Sequence, residues 1–306
     1  MKRVGFVYDD IFLRHEMPPG HPESKARLIA INSALAQSPH WKLLRHLRPR
    51  KALKEDILAV HTASYMAEID AFTGYFDPDT YISPHSVEAA LFAAGAVITA
   101  VDECRAGSID RAFCAVRPPG HHAEADRAMG FCIFNNVAVG ARHAQKVGYG
   151  KVLIVDFDVH HGNGTQHIFE DDDSVFYFST HQYPHYPGTG SDRDQGKGAG
   201  KGFTYNIPMG FGSGDKDYFH AYQDILPGLV TRFDPDLVLV SAGYDLHADD
   251  PLAGLRVTDE GIKTIVQAIL TSKKSIPYIF CLEGGYNLSS LSDSVLITID
   301  ELLTTE

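Results

Sequence analysis

Short apolar segments recur along this chain, and each is followed by polar or turn-forming residues. Most of them are rich in β-branched or aromatic residues, which is typical of strands buried on both faces of a parallel sheet. Val152 to Val155 is the clearest example, because acidic residues, histidines and two glycines follow it directly. The predicted strands cover residues 3–8, 111–116, 152–155, 175–180, 203–207, 237–241 and 276–282.

Segments with helical spacing lie between these strands. Leu28, Ile31 and Leu35 repeat at helical intervals, and Thr62 or Ser64 could cap a second helix. Further helices are predicted over 54–60, 136–146 and 218–233, from residue 87 through an Ala-rich stretch, and from residue 258 onwards. Because strands and helices alternate without a repeat or linker, we predict a single α/β domain over residues 1–306, built on a central parallel sheet.

Two polar segments, residues 76–84 and 181–202, are predicted to be loops. The second is rich in Gly, Pro and Tyr, and a loop of this length inside a compact domain is usually functional or disordered. Its glycine-rich end does not have P-loop spacing, because Gln195 stands at the first glycine position and Lys201 is followed by Gly202. A nucleotide-binding loop is therefore not predicted.

Polar side chains follow four of the predicted strands. They are His121 and His122, the segment Asp156 to Asn163, Asp245, and Tyr286. Ligands of parallel α/β sheets bind at the carboxyl ends of the strands, so we expect these residues on one rim. Asp158, His160 and Asp245 supply two carboxylates and one imidazole, a set that suits Zn²⁺, Fe²⁺ or Mn²⁺ and leaves coordination positions open.

The sequence leaves a structural interpretation open for each of these groups. Asp158 and Asp245 could cap helices, adjacent histidines in a loop commonly lie on the surface, and a lone Tyr286 fits ordinary packing. Asp249 and Asp250 are more typical of caps than of ligands. If a metal is bound, the paired histidines supply a general base and acid, and the tyrosine donates to a developing oxyanion.

Charge and cysteine content limit the partners and the compartment. The 27 basic and 39 acidic residues give a net charge of −12, which argues against nucleic acid or an anionic membrane as a partner. The four cysteines are widely spaced and suggest no disulfide framework, so a reducing, cytoplasmic location is expected. The N-terminal residues are predicted to form a strand rather than a signal peptide, and no apolar run is long enough to span a membrane.

Six motifs, taken together and in order, resemble the metal-dependent histone deacetylase family. They are RPPGHH (117–122), GFC (130–132), DFDVHHGNGT (156–165), PGTG (187–190), GYD (243–245) and EGGYN (283–287). GHPE (20–23) and DDPLAG (249–254) are similar to the class II branch, which includes bacterial histone-deacetylase-like amidohydrolases and acetylpolyamine amidohydrolases. The resemblance implies an arginase-like α/β fold and a hydrolase that removes acyl groups from amines.

The resemblance also implies a role for each motif residue. Asp158, His160 and Asp245 match the metal ligands, and Tyr286 matches the oxyanion donor. His122 matches the general base and acid, and His121 its electrostatic partner. Asp156 matches the carboxylate bonded to the first histidine, and Asn163 stands where the partner of the second is found. A neutral partner there should orient the ring while raising its basicity less than a carboxylate would. His161 is expected to be structural.

Substrate-binding and potassium residues are implied in the same way. Gly130, Phe131 and Tyr186 match the walls of a narrow tunnel in which an alkyl chain is buried between two rings. Leu252 occupies the position at which polyamine-specific relatives place a Glu. A structural K⁺ site is implied at Asp156, Asp158, His160, Ser179 and Thr180, mostly through backbone oxygens.

These correspondences favour a zinc-dependent deacylase that acts on acyl-lysine in a peptide or protein, because Leu252 carries no charge to meet a second ammonium group. An acetylpolyamine amidohydrolase, acting on a small acylated amine, is the alternative. A non-catalytic sensor that binds a metal and acyl-lysine is a further one, which the presence of Tyr286 and both histidines disfavours. A homo-oligomer is left open by the sequence.

Overall fold

A sheet of eight strands runs through the centre of the protein, whose residues 2–306 are described by a computed structural model. The strands in chain order are β1 (Val4–Val7), β2 (Arg45–Leu47), β3 (Gly74–Tyr75), β4 (Tyr81–Ile82), β5 (Arg111–Cys114), β6 (Val152–Asp156), β7 (Val175–Gln182), β8 (Thr204–Met209), β9 (Leu237–Ala242) and β10 (Tyr278–Leu282). In space the order is β2-β1-β5-β10-β9-β6-β7-β8, and all neighbours in it are parallel. β3 and β4 form a separate antiparallel pair.

Helices connect the strands and cover the sheet. They are α1 (Ala26–Gln37), α2 (Lys54–Leu58), α3 (Ala63–Ala71), α4 (Ser86–Arg105), α5 (Asn136–Lys146), α6 (Asn163–Phe169), α7 (Asp215–Phe219), α8 (Leu226–Phe233), α9 (Asp259–Thr271) and α10 (Leu288–Thr304). α4 packs against α5, and both contact strands of the sheet; α10 packs between α1 and α9. The predicted α/β architecture with a central parallel sheet is confirmed.

The central strands explain why the sequence shows continuous apolar runs. Every residue of β5, β6, β9 and β10 is buried, as expected for parallel strands covered by helices on both faces. β6 lies between β9 and β7, so that Val152 is beside both Leu237 and Val175. Because helices cover both faces of the sheet, polar side chains can meet only at the ends of the strands, here at their carboxyl ends.

Four elements, β2, β3, α6 and α10, are not predicted from the sequence. β2 is a three-residue edge strand in which Arg45 and His46 are exposed, so no apolar run marks it. In α10 hydroxyl side chains occupy buried positions and interrupt the apolar pattern. The Thr298 hydroxyl, for example, donates to the carbonyl of Ser294 and lies 2.9 Å from the hydroxyl of Tyr244.

Two further segments differ in detail from the prediction. The helix predicted over 218–233 begins at Asp215 and contains a π-helical segment, His220–Ile225, just before α8. Pro227, in the first turn of α8, has no N–H to continue a regular helical ladder there. The polar segment 76–84 contains β4 rather than only loop.

No helix within residues 2–306 combines the length and the apolar character needed to cross a membrane.

Candidate active site

Four neighbouring strands carry the predicted polar side chains to one rim of the sheet. β5, β10, β9 and β6 are adjacent in that order, and the loop after each of them supplies part of the site. His121 and His122 follow β5, Tyr286 follows β10, Asp245 follows β9, and Asp158 follows β6. The residues therefore meet at the carboxyl ends of parallel strands, where ligands of such sheets bind.

Asp158, His160 and Asp245 form a compact group of potential metal ligands. Nδ1 of His160 lies 3.1 Å from Oδ1 of Asp158 and 3.2 Å from Oδ2 of Asp245. One ligand atom from each residue falls within 4.8 Å of the others. Oδ2 of Asp245 is buried, and apart from the His160 nitrogen at 3.2 Å, which makes no hydrogen bond to it, it has no polar partner among residues 2–306. Because a buried carboxylate oxygen that accepts no hydrogen bond is costly unless a cation lies beside it, this donor set fits a metal ion.

Backbone amides hold the other oxygen of each carboxylate. The Gly284 amide donates to Oδ2 of Asp158 at 2.8 Å, and the Val159 amide donates to Oδ1 of Asp245 at 3.0 Å. The backbone at 284 is so close that a Cβ there would lie 2.1 Å from Oδ2 of Asp245. These contacts orient the two carboxylates towards a common centre, and they explain the need for glycine at position 284.

His121 is a buried imidazole that is paired with a carboxylate. Its Nδ1–H donates to Oδ2 of Asp156 at 3.0 Å, and the Tyr177 hydroxyl donates to the same oxygen at 3.0 Å. Burial disfavours the imidazolium, but the charges of Asp156 and Asp158 outweigh it and raise the pKa of His121 to about 10. A positive charge on this ring is therefore stabilised beside the ligand group.

His122 has the opposite charge preference. Its Nδ1 lies 2.8 Å from Oδ1 of Asn163, an uncharged amide. Burial, followed by the positive charge of His121, lowers the pKa of His122 well below its ordinary value. The ring is therefore neutral near pH 7, with one nitrogen able to accept a proton.

Glu283 braces the loop that carries both histidines. Its Oε2 accepts hydrogen bonds from the amides of Gly120 at 2.6 Å and His121 at 3.2 Å, and its Oε1 accepts one from the Ser241 hydroxyl at 3.0 Å. Burial raises the pKa of Glu283 to about 7. No role for it is predicted from the sequence, although an acidic residue directly after a buried strand is the signal that could have indicated one.

Tyr286 is oriented by three neighbours. Its backbone amide donates to Oδ2 of Asp250 at 2.6 Å, the guanidinium carbon of Arg27 lies 5.1 Å from its ring centroid, and the Phe131 ring meets it edge-on at 6.0 Å. Arg27 also donates from Nε to the carbonyl of Gly285 at 2.6 Å. The turn that carries the tyrosine is therefore fixed through both its backbone and its ring.

A narrow cavity of about 90 Å³ leads to these residues. It is lined by Asp79, Pro119, His121, His122, Gly130, Phe131, His160, Tyr186, Leu252, Gly284 and Tyr286. The Tyr186 ring is perpendicular to that of His122, with their centroids 5.1 Å apart. Gly130 has φ +57°, and a Cβ there would lie 2.4 Å from Cδ2 of His122, so only glycine fits this wall.

All four predicted tunnel residues thus line the cavity, and the structure adds Asp79. Asp79 lies just before β4, in the segment predicted only as a polar loop, and its side chain is partly buried. Burial, followed by the nearby Asp77 carboxylate, raises the pKa of Asp79. No apolar pattern in this segment points to the site, so its path could not be predicted from the sequence.

Ser179 and Thr180 lie on β7, where Ser179 pairs with Asp156 at the end of β6. The Ser179 hydroxyl lies 2.9 Å from Nδ1 of His181, and the Thr180 hydroxyl lies 3.0 Å from the Tyr222 hydroxyl. Because both side chains have protein partners, the potassium site depends on backbone oxygens and stays a prediction.

His161 points away from the ligand group. Its Nδ1 lies 2.7 Å from the Thr189 hydroxyl, and its Nε2 lies 2.9 Å from Oε1 of Gln166. It thereby connects α6 to the long loop after β7, which agrees with the structural role expected from the sequence.

Comparison with known proteins decides the family. The sequence model of the histone deacetylase domain matches residues 21–302, which is most of the chain. The chain belongs to the histone deacetylase family. The crystal structure of the HDA15 HD domain superimposes with a TM-score of 0.94 at 38% identity, covering 100% of this chain and 90% of that one. The predicted deacetylase-like fold and hydrolase class are therefore confirmed for this histone deacetylase domain.

The relatives of the domain differ in what their names say they act on. Histone deacetylase 15 of Arabidopsis thaliana is 41% identical over 292 residues, with 92% of this chain and 53% of that protein covered. The human polyamine deacetylase HDAC10 is 40% identical over 299 residues, with 92% of this chain and 44% of that protein covered. The chain spans about half the length of each, and their names distinguish a histone from a polyamine substrate.

Proposed function

We propose that this histone deacetylase domain is a zinc-dependent amidohydrolase that removes acetyl groups from acyl-lysine side chains. The observation that carries the proposal is the buried trio of Asp158, His160 and Asp245, with an unpartnered carboxylate oxygen, at a narrow aromatic-walled cavity beside a neutral histidine. A metal site, a base and a pocket for an alkyl chain together suit hydrolysis of an amide on a long side chain.

The trio would hold the metal. Two carboxylate oxygens and one imidazole nitrogen suit Zn²⁺, and also Fe²⁺ or Mn²⁺. When bound, such an ion polarises a carbonyl and lowers the pKa of water from about 15.7 to about 7. The proposed K⁺ at the backbone of Ser179 and Thr180 would add a structural charge close to Asp156.

His122 is the proposed general base and acid. Because its ring is neutral, it removes a proton from the attacking water, and it then returns a proton to the nitrogen of the leaving amine. His121, hydrogen-bonded to Asp156, is the electrostatic partner that offsets the negative charge that develops next to it. The two rings therefore have separate tasks, set by a carboxylate partner for one and an amide partner for the other.

Tyr286 is the proposed oxyanion donor. Its ring lines the cavity together with His122, and its backbone and ring are held by Asp250, Arg27 and Phe131. A donor that is fixed before the reaction stabilises the developing negative charge without reorganisation. Removal of one such donor typically lowers kcat by about 100-fold.

The cavity walls favour an aliphatic linker. Phe131 and Tyr186 contribute aromatic rings and Leu252 an apolar side chain, and burial of four methylenes is worth about 3 kcal/mol. A small acylated polyamine is the second candidate, because Asp79 brings a carboxyl group to the same cavity, where a second ammonium group could bind it. The polyamine deacetylase among the relatives is consistent with that candidate.

A substrate panel tests the proposal. The protein is reconstituted with Zn²⁺ or Fe²⁺ and assayed with acetyl-lysine peptides, longer acyl-lysine peptides and N-acetylputrescine. We expect the highest kcat/KM for acetyl-lysine peptides. If N-acetylputrescine is turned over far better, the substrate assignment is wrong and the polyamine candidate takes its place.

Two variants test the chemistry. Tyr286→Phe should lower kcat by about 100-fold while the bound metal, measured by elemental analysis, stays at wild-type stoichiometry. Asp245→Asn should lose both metal and activity. Full metal occupancy with retained activity in Asp245→Asn would show that the ligand assignment is wrong. A protein that binds acyl-lysine peptides but hydrolyses none of the panel would support the sensor interpretation.

A further inference from the structure

Asn163, the partner of His122, is hydrogen-bonded to a carboxylate on its other side. Its Nδ2 donates to Oε1 of Glu124 at 2.5 Å, and it lies 3.3 Å from the carbonyl oxygen of His122 and 3.3 Å from Sδ of Met129. Nδ1 of His167 donates to the two oxygens of Glu124, at 2.9 and 3.1 Å. A chain of contacts therefore runs from His122 through Asn163 and Glu124 to His167.

Glu124 is ionised in this arrangement. Burial opposes ionisation, but the hydrogen bonds from His167 and Asn163 outweigh it and lower the pKa of Glu124. The hydrogen bond to Glu124 is the main cause that raises the pKa of His167, whose side chain is 40% exposed. An ionised carboxylate can only accept hydrogen bonds, so every group that is hydrogen-bonded to Glu124 must be the donor.

The acceptors around Nδ2 determine the orientation of the Asn163 amide. If the amide were rotated by about 180°, Oδ1 would take the place of Nδ2 beside the Glu124 carboxylate. Two acceptor oxygens would then face each other with no hydrogen between them, which is unfavourable. Oδ1 must therefore face His122, and only an N–H of the ring can bond to it. His122 thus carries its proton on Nδ1, and its Nε2 is left free to accept one.

We propose that Glu124 is a positioning residue that selects the base-competent tautomer of His122 through Asn163. An amide accepts from Nδ1 in one orientation and donates to it in the other, so Asn163 alone does not select a tautomer. The negative charge of Glu124 excludes the second orientation, and it polarises the amide so that Oδ1 becomes a stronger acceptor. The catalytic part of this inference rests on the general-base role proposed for His122.

The first test observes the tautomer directly. Long-range ¹H–¹⁵N NMR of the histidine side chains is recorded on the full chain, with and without Zn²⁺, and His122 is assigned by comparison with His122→Gln. Glu124→Gln preserves the shape of the side chain but can donate as well as accept, so the turned amide becomes possible. We expect one Nδ1–H tautomer in the wild type and a mixture in Glu124→Gln.

Glu170→Gln is the matched control for this measurement. Glu170 directly follows α6, its carboxylate pairs with Lys197 on the surface, and no hydrogen bond joins it to Asn163 or His122. This variant should retain the wild-type tautomer. A pure Nδ1–H tautomer in Glu124→Gln would overturn the proposal, and this result does not depend on whether the protein is active as a deacetylase.

The second test separates positioning from substrate binding. Glu124 does not line the cavity, so Glu124→Gln should lower kcat about tenfold while KM changes less than about twofold. Glu124→Asp, which restores the negative charge, should recover part of kcat, and Glu170→Gln should match the wild type. An effect confined to KM, or equal losses in Glu124→Gln and Glu124→Asp, would contradict the proposal.

A double-mutant cycle with Asn163→Asp tests the mechanism itself. Aspartate at 163 gives Nδ1 of His122 an acceptor that cannot become a donor, so Glu124 is no longer needed to select the tautomer. In that background Glu124→Gln should leave kcat unchanged or raise it, because it removes a contact between like charges. An equal loss of kcat in both backgrounds would indicate a merely structural role and overturn the proposal.

Discussion

Replacement of Asp250 by asparagine should weaken the turn that carries Tyr286. Oδ2 of Asp250 accepts hydrogen bonds from the backbone amides of Tyr286 at 2.6 Å and Asn287 at 3.3 Å, and Oδ1 accepts one from Leu252 at 3.0 Å. The side chain is buried. Asparagine has one acceptor oxygen, so its NH₂ group would face a backbone N–H on one side or the other.

The size of the effect follows from these contacts. A hydrogen bond to a charged acceptor contributes about 1.5–3 kcal/mol, and a donor left unsatisfied costs a comparable amount. We therefore expect Asp250→Asn to lower the free energy of unfolding by about 3 kcal/mol, which corresponds to a decrease in Tm of about 6 °C. Because the Tyr286 hydroxyl would no longer be held in place, kcat should fall by about tenfold.

Asp249→Asn is the matched control, because the Asp249 side chain is 72% exposed and its carboxylate lies 3.9 Å from Nδ1 of His247. Both variants are compared by thermal unfolding followed by circular dichroism, and by steady-state hydrolysis of an acetyl-lysine peptide with the bound Zn²⁺ measured. If Asp250→Asn and Asp249→Asn have the same Tm and kcat, the reasoning is refuted. A loss of kcat that merely follows a loss of metal would also refute it, since the turn would not be the cause.

Three further changes test other parts of the site. Leu252→Glu should raise the ratio of kcat/KM for N-acetylputrescine to kcat/KM for an acetyl-lysine peptide by about tenfold, or about 1.4 kcal/mol. Leu252→Gln is the uncharged control; if both variants give the same, unchanged ratio, the result would count against the substrate assignment. Gly284→Ala would place a Cβ 2.1 Å from Oδ2 of Asp245 and should weaken Zn²⁺ binding by at least about tenfold in a chelator competition, whereas Gly228→Ala, in open space, should not. Burial lowers the pKa of His61 from 6.5 to about 4. Between these two pH values the unfolded protein therefore binds more protons at this residue than the folded protein does, and the free energy of unfolding should fall by up to about 3 kcal/mol as the pH is lowered. In urea unfolding at pH 7 and pH 4.5, His61→Gln should lose less stability than the wild type; equal losses would contradict the assignment.

The position of the metal trio could be proposed from the sequence because each member comes soon after a buried strand. Parallel strands place their carboxyl ends on one rim, so Asp158 and Asp245, far apart in the chain, were expected to meet there. Asp79 lies on a loop whose course depends on the packing of the whole domain, and no local pattern marks it as a neighbour of the tunnel. Asp250 belongs to the motif 249–254, but its hydrogen bond to the Tyr286 amide depends on tertiary packing. Strand periodicity thus predicts the rim, and tertiary packing determines which loop residues reach it.

The charge of each of the two adjacent histidines could not be predicted in the same way, because it depends on differences of a few ångströms in the distance from the ring to a carboxylate. A carboxylate in direct contact, as Asp156 is with His121, favours the protonated ring. If a second carboxylate also contacted His122 directly, the pKa of that ring would be raised as well. Asn163 inserts one amide between His122 and Glu124, so the negative charge orients the ring without charging it. The distance between each imidazole and its nearest carboxylate therefore determines which histidine is the charged electrostatic partner and which is the neutral base.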